Sequence, residues 1–234
     1  MWDLIAGTTT WSIFFLILQL NKKRSSEWNS RICALIHAFV GCRWIEYHFE
    51  WPVQYELFSS PNTWWHQILF TFTCSYFIFD LVYCLWAQSE EHYMILHHIL
   101  GIWMSYYGYH YNVSGYEGAI GFWIAELANP FMQIRWFLRS VDLHGSIWYA
   151  ASEMSFVIIF MINRVGIASW YTYAVLFLAN CNIFVKTAII AVHLFNIFFA
   201  WQIIGLVRKR LRGGTKKEVK QEVVGETADT KKVE

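Results

Sequence analysis

Residues 64–86 read WWHQILFTFTCSYFIFDLVYCLW, a run of apolar and aromatic residues whose one formal charge is Asp80. About 20 such residues bridge the hydrocarbon core of a bilayer as a helix, and Trp gathers at the two interfaces. Further apolar runs stand at 3–20, 32–50, 93–111, 118–138, 147–165 and 183–206. The expected fold is all-α: a polytopic membrane helical bundle of about seven transmembrane helices. Residues 1–27 supply a first helix and a basic loop, 28–207 the body of the bundle, and 208–234 a charged tail whose composition predicts disorder. The first span is short, which suits a thin bilayer such as that of the endoplasmic reticulum. Residues 167–179 are also apolar, and either extend the sixth helix past a bend near Gly166 or form a separate re-entrant piece.

Composition agrees. The chain is 56% hydrophobic and 15% charged, where a soluble domain carries roughly 25% charged residues. A formal net charge of +1 offers no basic excess for a nucleic acid, and none is expected as a partner. Cys33, Cys42, Cys74, Cys84 and Cys181 lie in or beside apolar runs with no C-x-x-C spacing, so they read as packing residues rather than a disulfide frame or zinc site. The N-terminus has no basic region before its apolar run and carries Asp3, so it reads as a retained span rather than a signal peptide.

Loop charge sets the orientation. Lys22, Lys23, Arg24 and Arg31 follow the first span, Arg135 and Arg139 close the fifth, and Arg208, Lys209, Arg210 and Arg212 follow the seventh. The loop 51–63 has neither Lys nor Arg. Together these predict a lumenal N-terminus and a cytosolic C-terminus. Asn112-Val113-Ser114 is then a lumenal glycosylation acceptor, although one very close to the membrane.

A charge at the bilayer centre costs about 2.5–3.5 kcal/mol on insertion scales, so each polar residue inside a span needs a partner or a purpose. Glu126, Asn129 and Gln133 recur at i, i+3 and i+7 along one helical stripe. Lys186, His193 and Asn196 share another face, and Tyr76 and Asp80 are one turn apart. Arg43 and Glu46 pair along their own helix, while Glu153, Arg164 and Lys186 are placed to snorkel. Pro130 cannot donate to the carbonyl of Glu126 and is expected to bend the helix beside that carboxylate. His97 and His98 point about 100° apart, so one of them must look into the bundle. An imidazole there is a competent base or nucleophile, and Asp80 or Glu126 is placed to orient it. No metal is expected, because His92, His97 and His98 form H-x4-H-H with no second histidine box.

The stretch Ser75 to Leu81 (SYFIFDL), then His97-His98, then Glu126 to Pro130 (ELANP) and Arg135 to Leu138 (RWFL), resembles the TLC-domain family in order, spacing and helical placement over roughly 28–207. That family includes ceramide synthases, which join an acyl chain from acyl-coenzyme A to a sphingoid base. The resemblance implies lipid handling or modification in an intramembrane cavity, with acyl-coenzyme A as co-substrate and no bound cofactor. His97, His98, Asp80 and Glu126 would be the catalytic candidates. Tyr76, Asn129, Gln133, His193 and Asn196 would line the substrate site. In the synthases two acids spaced three apart follow the His pair; here Glu126 occupies the first position and Asn129 the second. Two other readings stay open: a non-enzymatic regulator of membrane lipid composition, and a cargo or assembly factor of the early secretory pathway. Lys231-Lys232 near the C-terminus resembles a cytosolic dilysine retrieval signal, which would engage coat machinery and hold the protein in the endoplasmic reticulum.

Overall fold

The computed structural model describes residues 1–88 and 92–230, with side chains described as far as Arg208. The retrieval pair Lys231 and Lys232 lies outside the described residues, as do the side chains of the charged tail. Helix α1 spans Trp2–Gln19, α2 Ser26–His48, α3 Trp64–Ala87, α4 His92–Tyr111, α5 Gly115–Glu126, α6 Asn129–Ser140, α7 Ile147–Phe160, α8 Ala168–Tyr173 and α9 Ile183–Thr230. The described fold is all-α. Three helical stretches are long and apolar enough to cross a membrane: Trp64–Ala87, Ile147–Leu178 and Ile183–Arg208. The first of these is α3, which sits innermost and packs chiefly on α4 and α1.

Local chemistry sets the helix ends. The hydroxyl of Ser25 accepts a hydrogen bond from the Trp28 amide, and that of Ser146 accepts one from Tyr149, each satisfying an amide that the first turn leaves without a helical partner. Thr63 and His66 cap the start of α3 reciprocally. Residues 167–178 belong to the rod that begins with α7. Two wide π turns, Met161–Ile167 and Ala174–Leu178, flank α8 and keep the rod continuous. The apolar stretch therefore extends the helix that begins with α7, and Gly166 lies within the first of the π turns.

At one end of the bundle the connection between α2 and α3 folds over α5. The Ser59 amide donates to the buried Glu117 carboxylate at 2.9 Å, and Asn62 bridges the Gly108 carbonyl and the Gly115 amide. The sequon is built into this cap. Asn112 is exposed but accepts a hydrogen bond from Gln67, while Ser114 is buried. The opposite end carries the exposed Lys22, Lys23, Arg24 and Arg139 and is called the basic end below.

Two glycines show how tightly α3 and α4 meet. A Cβ on Gly108 would collide with two ring carbons of the buried Phe70, whereas one on Gly205 would touch nothing within 4 Å. Alanine gains up to about 1 kcal/mol over glycine in a helix interior, but overpacking costs about 1–3 kcal/mol. Gly205→Ala should therefore raise the melting temperature in detergent and Gly108→Ala should lower it, as read by scanning fluorimetry.

Candidate functional site

Helix α3 presents Tyr76, Asp80 and Cys84 at one-turn intervals. Helix α4 brings His98 against them, with Nε2 at 3.5 Å from Asp80 Oδ2. That separation exceeds the 2.7–3.2 Å of an ordinary N–H···O bond, yet both side chains are buried. One donor atom from each of Asp80, Cys84 and His98 lies within 4.8 Å of the other two. Nothing in the sequence spacing joined Cys84 to this group. The ring of Phe77 lies beside both histidines, at 6.3 Å from His97 and 5.8 Å from His98.

A second set of polar groups gathers where α5 gives way to α6. Pro130 falls in the first turn of α6, the one place in a helix where a missing N–H costs nothing, and the chain steps through Leu127 and Ala128 between α5 and α6. The expected bend is thus a helix break. It frees the carbonyl of Ala125, and the guanidinium of Arg164 donates to it. Broken backbone at membrane depth survives only where protein or water satisfies it. Arg164 is only 6% exposed, so it does not snorkel; it emerges from the π turn Met161–Ile167 into the interior, close enough to Glu126 to interact electrostatically. Asn129 Nδ2 donates to Glu126 Oε2 at 2.7 Å. His37 approaches the same oxygen at 3.9 Å, its ring stacked on Tyr76 at a centroid distance of 3.9 Å.

These groups surround two cavities. The larger, about 260 Å³, occupies the basic half of the bundle and has the more polar lining of the two, called the polar chamber below: Asp80, Cys84, His98, Asn129, Gln133 and Arg164 stand among apolar side chains in its walls. The smaller, about 140 Å³, lies toward the capped end and is overwhelmingly apolar, with Leu100, Gly121, Phe122, Tyr171, Ala188 and Val192 in its lining. Phe77, His97 and Glu126 border both. One imidazole and one carboxylate therefore stand where a greasy slot meets a polar chamber.

Most of the sequence candidates converge. Tyr76, Asp80, His97, His98, Glu126, Asn129 and Gln133 all line the polar chamber. His193 and Asn196 line neither cavity. The cavity-facing stripe of α9 runs through Ala188, Ile189, Val192, Phe199, Gln202, Ile203 and Leu206. His193 turns instead toward α8, 3.5 Å from the Ser169 hydroxyl. Arg43 and Glu46 form the expected structural pair at 2.6 Å, and Arg135 holds Glu153 at 2.9 Å. His37, Cys84 and Arg164 were not among the sequence candidates. His37 and Arg164 each interrupt an apolar run, the kind of signal that could have found them.

Comparison with known proteins supplies the remaining findings. Residues 9–207 match the family model of the TLC domain. TLC domain-containing protein 4 of Xenopus tropicalis is 28% identical over 164 residues, covering 65% of this chain and 60% of that protein. TLC domain-containing protein 4-B of Danio rerio is 22% identical over 166 residues, 65% and 59% of the two chains. TLC domain-containing protein 4 A of Dictyostelium discoideum is 28% identical over 152 residues, 61% and 58%. The chain thus spans about three fifths of the length of these relatives.

Proposed function

The chain belongs to the TLC-domain family, and from that premise we propose that it is a seven-span protein of the endoplasmic reticulum that takes a fatty acyl chain into its interior and transfers it to a lipid acceptor. The observation that carries this reading is the pair of unlike cavities sharing Phe77, His97 and Glu126 as walls. A fatty acyl group has the same division, an apolar chain ending in a polar carbonyl. With the carbons next to the carbonyl in the apolar slot, the carbonyl comes to rest beside His97, and the polar chamber receives the donor's leaving group and the acceptor. Ligand sites of this kind are mostly apolar with a few placed polar groups.

His97 is the group that touches the carbonyl, as base toward the acceptor or as nucleophile. Asp80 holds His98 beside it, and Glu126, fixed by Asn129, closes the other wall. Loop charge puts the basic end in the cytosol, so the polar chamber opens toward the compartment that contains acyl-coenzyme A, the donor implied by the family resemblance. The same orientation sends the Lys231-Lys232 tail to coat machinery.

Gly121 offers a direct test. A Cβ there meets Tyr171 at 3.6 Å, an ordinary contact, and the residue lines the apolar slot. Gly121→Ala should fold normally, while Gly121→Leu should fill the slot. With purified protein and a photoreactive fatty acyl-coenzyme A, crosslinks should map to α4 and α5, and Gly121→Leu should reduce them at least tenfold with the protein still monodisperse. Crosslinks that ignore Gly121→Leu, or that fall on outward-facing residues such as Trp103 and Leu194, would remove the slot from the reading.

A further inference from the structure

We propose that Asp80, Cys84 and His98 form a zinc site with its fourth position open to the polar chamber. The residues supply a carboxylate, a thiol and an imidazole, and Asp80 and Cys84 lie one turn apart on the same face of α3 with His98 opposite on α4. The distance between His98 Nε2 and Asp80 Oδ2, 3.5 Å, is long for a hydrogen bond. It matches the ligand-to-ligand edge of a tetrahedral site, about 3.4 Å for zinc bonds of about 2.0–2.2 Å to nitrogen and oxygen. The sulfur lies within 4.8 Å of both partners, where a bound zinc would require about 3.5 Å, so the thiol must move inward to close the third bond. Three protein ligands with an open position are the pattern of a catalytic zinc, whereas structural sites use four.

The surroundings support a cation there. Hydroxyls of Tyr76 and Ser30 bond the Asp80 carboxylate, as the supports of a metal-bound carboxylate do. Charge balance points the same way. Neither nearby arginine bonds the Asp80 carboxylate directly: Arg31 acts on it only through space and is bonded to Glu27 at 2.9 Å, and Arg164 donates to the Ala125 carbonyl. A divalent ion against one carboxylate and one thiolate leaves the buried group neutral, which a low-dielectric interior favours. Binding releases the thiol proton. Histidine spacing along the sequence could not reveal such a site, because its ligands are of three kinds and come from two helices. A zinc ion so placed stands beside His97, where its open position would accept a lipid carbonyl or phosphate oxygen. The site does not depend on acyl transfer and goes beyond it.

Full-length protein purified in detergent without chelator should hold about one zinc per chain by mass spectrometry. Exchange with cobalt(II) should produce a near-ultraviolet thiolate-to-metal absorption. Cys84→Ser should abolish that absorption and lower metal affinity at least tenfold, while Cys181→Ser, in the distant capped end, should keep both. Absence of zinc from the wild-type protein together with no cobalt absorption overturns the proposal, and so does an absorption undiminished in Cys84→Ser. Because the wild-type spectrum is decisive by itself, a variant that fails to fold does not protect the idea. Metal bound by a protein that transfers no acyl group would leave the zinc site standing and defeat the transfer reading alone.

Discussion

Acyl transfer by the purified protein is expected to fall about 10²–10⁴-fold when His97 is replaced by alanine, the range typical for loss of a positioned acid–base group. Of the two adjacent histidines, this one gives the cleaner result. His98 is buried against Asp80, so His98→Ala also strips a buried carboxylate of its partner, and any loss of activity would be mixed with loss of structure. His97 is only partly buried, with the rings of Phe77, Phe195 and Phe199 at 6.3–6.4 Å and a cavity on either side. Truncating it enlarges space that already exists. Protein abundance and crosslinking to the acyl probe should therefore persist while turnover disappears, a split between binding and chemistry that a structural role would not produce. The measurement is release of coenzyme A in the presence of a long-chain amine or alcohol acceptor. Full activity in His97→Ala would assign the chemistry elsewhere, and a wild-type protein that binds the probe without releasing coenzyme A would favour the non-enzymatic regulator.

The residue that departs from the synthase pattern acquires a role in this geometry. Asn129 donates its amide to Glu126 at 2.7 Å, so an acid at 129 would put two carboxylates in contact unless one were protonated. Here the amide serves Glu126, and the positive counterpart is Arg164. That pairing shows what the sequence could and could not reveal. Apolar runs and interrupting charges located the helices and named most of the chamber, because a charge inside a span is conspicuous whatever its neighbours. Pro130 marked a bend beside Glu126 in what read as one helix, 118–138, and the chain breaks there, at Leu127 and Ala128. Which polar residues meet across helices was not legible: His193 and Asn196 share a face with each other but not with the chamber, and helix rotation is set by packing. Cys84 was invisible for a related reason, because a cysteine in an apolar run reads as filler until Asp80 and His98 are seen beside it. Arg164 was expected to snorkel, yet the π turns Met161–Ile167 and Ala174–Leu178 keep the rod going past it and hold it inside. Wide turns of this kind recur at functional sites.

Arg164→Met is expected to destabilise the protein by about 3–5 kcal/mol, the usual consequence of breaking a buried charge pair by removing one partner. Two groups lose their complement together. The carbonyl of Ala125, freed by the helix break, loses its donor, and the buried Glu126 carboxylate loses its nearby positive charge. Glu126 is only 4% exposed, so solvent replaces the lost charge poorly. If that account is right, most of the damage is electrostatic and can be undone by neutralising the carboxylate. Glu126→Gln in the Arg164→Met background should recover stability even though it removes a second native side chain, because an amide in that position still accepts from Asn129 and carries no charge. Glu126→Gln alone should be costly too, since it strands the guanidinium. Thermal unfolding of the four proteins in one detergent completes the cycle, with an expected coupling of roughly 2–3 kcal/mol. Additive losses would show that Arg164 acts only as a cap for the broken helix. The wall shared by the two cavities would then be held by packing, and Glu126 would have to be stabilised from the side of His37.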